Sequence, residues 1–122
     1  MYINRPLTEY LHDLAAKKPA PGGGSASALA GSLGACLISM VANYTLGKDA
    51  YRMFEKDIER ILTMSEELRY EFSTLVDEDV EAYQTYLEAM KVKDEGKVEA
   101  ALKNATGVPI DICKLSFEGI KL

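Results

Sequence analysis

Apolar residues recur along this chain at helical spacing, and no stretch alternates as a strand does. Leu7, Tyr10, Leu11 and Leu14 form a short amphipathic stripe ending before Pro19. From Ala20 to Gly47 there is no Asp, Glu, Lys, Arg or His. This run predicts a second helix from Gly24 or Ser25, with Ser25 as N-cap, to about Thr45, where Gly47 stops it. Its lack of charge predicts burial on all sides within a bundle. Ser27, Gly31, Gly34 and Ala35 are small and closely spaced, a ridge that lets another backbone approach, within the fold or across a dimer. Met53, Ile58, Ile61, Leu62, Leu68, Phe72, Leu75, Tyr83, Leu87 and Met90 keep a helical period. No proline or glycine falls between Gly47 and Gly96, so a long third helix is predicted from near Asp49 to Lys91, with a break near Ser73-Thr74 left open. Asp94-Glu95-Gly96 marks a turn. A fourth helix follows from about Lys97, and Pro109 is expected to kink or split it. The pattern is an all-α, up-and-down helical bundle with a long central helix, as one domain over residues 1–122.

Composition narrows the function classes. Hydrophobic residues are 48% and charged residues 27% of 122, a balance suited to one soluble domain with a single core. The net charge of −5 and the scattered basic residues argue against nucleic acid, which needs a concentrated basic patch. Cys36 and Cys113 lie in apolar segments and read as small core residues in a reducing compartment. His12 is the only histidine, which argues against a structural zinc site; it reads as a surface residue. The start of the chain lacks a basic-then-apolar segment, so a cytoplasmic location is expected. Ala20 to Gly47 is long enough to cross a bilayer, but it is rich in Gly, Ala and Ser and lacks anchors at its start. No membrane association is expected.

Two features carry candidate chemistry. The first is Pro19-Ala20-Pro21-Gly22-Gly23-Gly24-Ser25, a loop feeding straight into a helix. Free backbone N–H groups at such a junction favour an anion or a substrate oxygen, and glycines leave the approach open. A plain linker is the alternative, because the Lys-Ser/Thr of a P-loop is missing. The second feature is Asp79 within the acidic run Asp77-Glu78-Asp79. Leu75 lies four residues before it and Tyr83 four after, so Asp79 falls inside an apolar stripe. A carboxyl there has a raised pKa and suits general acid/base work, or else hydrogen-bonds another helix. Asp77 is turned away around the helix and is not expected to point inward. Thr45, Lys48 and Lys91 lie at helix ends, where lysines favour the helix dipole and stay solvated. Tyr44, Tyr51, Tyr83 and Tyr86 read as core residues or as walls for a flat ring.

The stretch PAPGGGSASALAGSLGACLISMVANYTLGK resembles the signature of the formiminotransferase-cyclodeaminase C-terminal family. LVDEDVEAYQTYLEAMK, with Asp77, Asp79, Ala82 and Tyr83, and ALKNATGVPI, with Ala105 and Pro109, match further parts of it. That family contains formimidoyltetrahydrofolate cyclodeaminases and methenyltetrahydrofolate cyclohydrolases. The resemblance implies a dimeric, all-helical fold acting on a tetrahydrofolate derivative, with no metal and no other cofactor. It implies Asp79 as general acid/base, with Asp77 second. Gly22, Gly23, Gly24 and Ser25 would bind a substrate oxygen or carboxylate, and Tyr83 the pterin. Lys48 and Lys91 would meet the glutamate tail, and Thr45 is a further substrate-binding candidate. A formiminotransferase partner is left open, as is the choice between the two reactions. Family members are longer than this chain, and the apolar residues Ile110, Ile112, Leu115, Phe117, Ile120 and Leu122 run to its end. The alternative is a non-catalytic helical assembly module that retains the fold.

Overall fold

A computed structural model describes residues 1–122 throughout. A 3-10 turn, Tyr2–Asn4, leads into α1 (Leu7–Ala15), then α2 (Gly23–Thr45). A second 3-10 turn, Asp49–Phe54, precedes α3 (Glu55–Val92), and α4 (Glu95–Ile120) completes the chain. No strand is present. The expected all-α architecture is therefore observed. The long helix starts six residues later than expected, because Asp49–Phe54 winds as a 3-10 turn; it runs unbroken through Ser73-Thr74. Lys93, in the left-handed region, ends α3, and the Asp94 carboxylate accepts from Lys97 N–H to cap α4. Pro109 does not split α4.

α2 and α3 are tied by a repeat of seven. Ser25, Ser32 and Ser39 alternate with Ala28, Ala35 and Ala42 on one buried face of α2. The Ser25 hydroxyl donates to the Val76 carbonyl at 2.8 Å. Ser32 and Ser73 hydroxyls meet at 2.9 Å, and Ser39 and Ser65 at 2.8 Å. Each such bond contributes about 1 kcal/mol, and each leaves no buried hydroxyl unpaired. Small side chains bring the two helices close. At Gly31 any Cβ would fall closer than 3.0 Å to the Phe72 ring, so glycine is required there by packing. Phe72, Leu75 and Val76 of α3 then meet Val108 and Ile112 of α4 and Tyr10 of α1 in one core.

Two burial expectations are corrected. α2 is buried along its Ser/Ala face alone; Leu33, Leu37, Met40, Val41 and Tyr44 are exposed. A charge-free helix does not need to be enclosed by its own chain. Cys36 and Cys113 are likewise exposed and free, because each lies off the buried face of its helix. By length and composition α2 is apolar enough to cross a membrane, although its Ser/Ala face packs on α3.

Candidate functional site

α2 begins at Gly23 with Gly22 in the cap position, and no side chain caps it. Ser25 is therefore not the N-cap. It sits in the first turn with 0% of its surface exposed. Its hydroxyl proton goes to the Val76 carbonyl, so the Tyr10 hydroxyl, 2.8 Å away, donates to Ser25 Oγ. Ser25 thus joins α1, α2 and α3, and only its backbone remains for the loop side.

That backbone N–H donates towards Asp79. The Asp79 carboxyl fills the space beside Gly24, where a Cβ would come closer than 3.0 Å to Cγ and both oxygens. Glycine at this position is what admits the carboxyl to the start of α2. Asp79 is half-buried, and burial pushes its pKa above the ordinary carboxylate value, partly opposed by the Ser25 N–H. Burial also raises the Tyr10 pKa, and the Asp79 and Asp77 charges add to it.

A pocket of about 310 Å³ opens here. Pro19, Ala20 and the three glycines form one wall, Asp79 and Tyr83 a second, and Ala105 and Pro109 of α4 a third. Tyr83 is one turn from Asp79 and is paired with Tyr86 at 6.3 Å between ring centroids. Pro109 has no N–H, so the Ala105 carbonyl four residues earlier lacks its helical donor at this wall. Asp79 is the single charged lining residue. No three His, Cys, Asp or Glu side chains cluster closely enough to hold a metal ion.

Asp77 differs from expectation. It is only 4% exposed, and it accepts from Tyr2 N–H at 2.7 Å and Ile3 N–H at 3.1 Å. Both oxygens anchor the first residues of the chain, and Asp77 does not line the pocket. The 3-10 turn at Tyr2–Asn4 brings those N–H groups to α3, which no helical periodicity could foretell.

Gly22, Gly23, Gly24, Asp79 and Tyr83 are brought together as expected. Thr45 and Lys48 are not, because α2 separates its ends by about 33 Å at 1.5 Å per residue. They border a different depression at the far end of α2. Lys91 lies exposed on α3, about 18 Å along the axis from Asp79. Tyr44 and Tyr51 are exposed and also lie away from the pocket. Sequence reasoning gave Ala105 and Pro109 no role at the pocket, although both line it. Pro109 was legible as a helix breaker and as part of the family match, but not as a residue that frees a carbonyl at the pocket wall.

The fold and pocket define a class: a helical domain in which a glycine-rich helix start holds an aspartate against a cavity with no other charged side chain. The chain belongs to the formiminotransferase-cyclodeaminase family, whose model matches residues 6–122. It is 39% identical over 128 residues to a methenyltetrahydrofolate cyclohydrolase of Methylorubrum extorquens, covering 98% of this chain and 62% of that protein. It is 32% identical to a formimidoyltransferase-cyclodeaminase of Gallus gallus, over 88% of this chain and 21% of that protein. The crystal structure of a formiminotetrahydrofolate cyclodeaminase from Thermotoga maritima superposes with a TM-score of 0.87 at 35% identity. That match covers 94% of this chain and 58% of the other. The chain thus spans about three-fifths of the length of the Methylorubrum extorquens cyclohydrolase and of the Thermotoga maritima cyclodeaminase.

Proposed function

We propose that this chain carries the folate-binding, acid/base part of a one-carbon enzyme that hydrolyses methenyltetrahydrofolate, acting as a homodimer. The observation that carries the reading is Asp79: a half-buried carboxyl with a raised pKa, held by Gly24 at the wall of a pocket with no competing charge. The hydrolytic reading is preferred on the higher identity to the Methylorubrum extorquens cyclohydrolase, 39% against 35% for the Thermotoga maritima cyclodeaminase, each over more than nine-tenths of this chain.

In the proposed reaction a water attacks the cationic carbon that bridges N5 and N10. Asp79, ionised, takes a proton from that water as the C–O bond forms. The resulting adduct loses its second oxygen-bound proton to solvent while the C–N5 bond breaks. The proton held on Asp79 passes to N5, leaving a formyl group on N10. Only proton transfers at one carbon are needed, and a carboxyl with raised pKa suits both directions of transfer. The Ala105 carbonyl is an acceptor for a pterin N–H, and the exposed Tyr83 ring offers a stacking face. In the cyclodeaminase alternative, N10 attacks the formimino carbon on N5 and ammonia leaves; a formiminotransferase partner belongs with that reading.

Turnover of 5,10-methenyltetrahydrofolate, followed spectroscopically, tests the proposal. Asp79→Asn is expected to lower kcat by roughly 10²–10⁴ while calorimetry still shows binding of 5-formyltetrahydrofolate. Full turnover in the variant would remove Asp79 from the chemistry. No folate binding by the folded wild-type chain would favour the assembly-module reading.

A further inference from the structure

Ser25, Ser32 and Ser39 occupy equivalent places on the buried face of α2, and each pairs its hydroxyl with α3. Ser25 differs from the other two in three respects. Its hydroxyl also meets a third element, the Tyr10 hydroxyl of α1, at 2.8 Å. It lies in the first turn of α2, where backbone N–H groups have no helical carbonyl to meet. Its neighbour Gly24 is in contact with the carboxyl of Asp79, the one charged residue of the pocket.

The start of α2 is weakly held by its own sequence. No side chain caps it, and Gly22, Gly23 and Gly24 form it. Ala26 N–H reaches the Gly22 carbonyl at 3.0 Å, and the N–H groups before it are left over. An uncapped glycine-rich turn frays readily. Gly24 cannot anchor it through a side chain, because the Asp79 carboxyl occupies that space. Ser25 is thus the first residue of α2 able to do so. It grips the Val76 carbonyl at 2.8 Å, inside the protein, where Val76 is 1% exposed. A helical carbonyl has a second lone pair to offer the serine. Val76 precedes Asp79 by three residues, so the two share a face of α3, about 4.5 Å apart along the axis.

We infer that Ser25 is a positioning residue: its hydroxyl, pinned between Tyr10 and the Val76 carbonyl, fixes the uncapped start of α2 against the turn of α3 that carries Asp79, and so holds the Ser25 N–H on the Asp79 carboxyl. The side chain touches no substrate, since it is fully buried and both its bonds run into the protein. It acts through Asp79. That N–H favours the charged carboxylate and opposes the burial that disfavours it. Few other groups face this carboxyl. α2 carries no charge, α4 brings Ala105 and Pro109, and α1 brings the Tyr10 hydroxyl. On α3, Asp77 is turned to the Tyr2 and Ile3 N–H groups, and Tyr83 lies one turn on. The titration of Asp79 therefore reports the place of the Ser25 N–H. The effect on turnover rests on the folate reading above; the effect on Asp79 does not.

The experiment compares Ser25→Ala with Ser32→Ala in the full chain. Each removes one hydroxyl from the same buried face, so both are expected to melt below wild type. Ser25→Ala alone is expected to move Asp79. NMR of the carboxyl carbons, with Asp79→Asn assigning the signal, should show Asp79 titrating at higher pH than in wild type. In turnover of 5,10-methenyltetrahydrofolate the acid limb of kcat should move the same way, and its maximum should fall roughly tenfold. Ser32→Ala should keep the wild-type titration and pH profile. An unchanged Asp79 titration in Ser25→Ala overturns the inference and makes Ser25 one more stitch between the helices. So does an equal shift in Ser32→Ala, which would mean that any loosening of α2 on α3 reaches the carboxyl. If Ser25→Ala does not fold, Tyr10→Phe decides, because it removes one of the two bonds and leaves the other. A smaller shift in the same direction is then expected, and no shift overturns the inference. If wild type turns over no methenyltetrahydrofolate, the function reading fails, and the carboxyl titration still decides the role of Ser25.

Discussion

Asp77 and Asp79 stand two residues apart on α3 and live in opposite surroundings. Asp77 is buried, and both its oxygens are spent on the backbone of Tyr2 and Ile3. Asp79 is half-buried beside a glycine, with one backbone N–H facing it and a pocket in front. The first carboxylate holds structure because its bonds are satisfied. The second is chemically available because burial disfavours its charge and little compensates. Two acidic residues in one acidic run are thus divided by what the chain places against them.

The sharpest way to break the Asp79 side leaves Asp79 untouched. Gly24→Ala adds a methyl group closer than 3.0 Å to all three carboxyl atoms, so the carboxyl must move out. Displacement by about 1 Å costs roughly 10²-fold in turnover of methenyltetrahydrofolate, with the fold retained. Turnover within error of wild type would mean that the position of Asp79 is not critical.

On the Asp77 side the loss is one of stability. Asp77→Ala removes a charged acceptor from two N–H groups, and two such bonds are worth about 3 kcal/mol together. Urea denaturation should show that loss, with earlier proteolytic cleavage at the first residues. A variant as stable as wild type would show that the Tyr2–Asn4 turn contributes nothing to the fold. A smaller effect is expected from Tyr10→Phe, which removes the donor to Ser25 Oγ while the Ser25–Val76 bond remains. Its cost should be about 1 kcal/mol in the same assay. A cost of several kcal/mol would show that the ring position, not the hydroxyl bond, was lost.

What was legible in the sequence follows the same division. Asp79 could be found because apolar residues sit one turn to either side, and a helix carries that pattern into space. Asp77 was misread because its partners lie 75 and 74 residues away, in a turn with no periodic signal. The Ser25, Ser32 and Ser39 repeat was available to inspection and gives the α2–α3 contact directly. It was hidden by the overall lack of charge, which reads as burial all round when only one face is covered. Thr45 and Lys48 share a motif with the glycines, yet a straight helix holds them at its other end. Linear proximity in a motif is not spatial proximity when a helix of 23 residues lies between.

The smallest effects are those of pH, and they have opposite signs in two carboxyls. Asp13 accepts from Lys18 at 2.7 Å and from the Tyr2 hydroxyl at 2.6 Å, and these bonds hold its pKa below the ordinary value. Its contribution to stability is present above the unfolded-state pKa and is lost as pH falls through the lower folded value. Asp79 has its folded pKa raised. Folding then binds a proton between the unfolded and folded values, so stability falls as pH rises through that window and the penalty is complete above it. At neutral pH, Asp79→Asn should therefore melt higher than wild type while turning over more slowly. Asp13→Asn should melt lower. The Asp79 difference should shrink as pH falls through its raised folded value, whereas the Asp13 difference should shrink only at more acid pH, as pH falls through its lowered folded value. Thermal melts at neutral and acid pH check this. An Asp79→Asn variant less stable than wild type at neutral pH would show that the carboxylate is a satisfied structural anchor like Asp77, and the distinction between the two aspartates would fall.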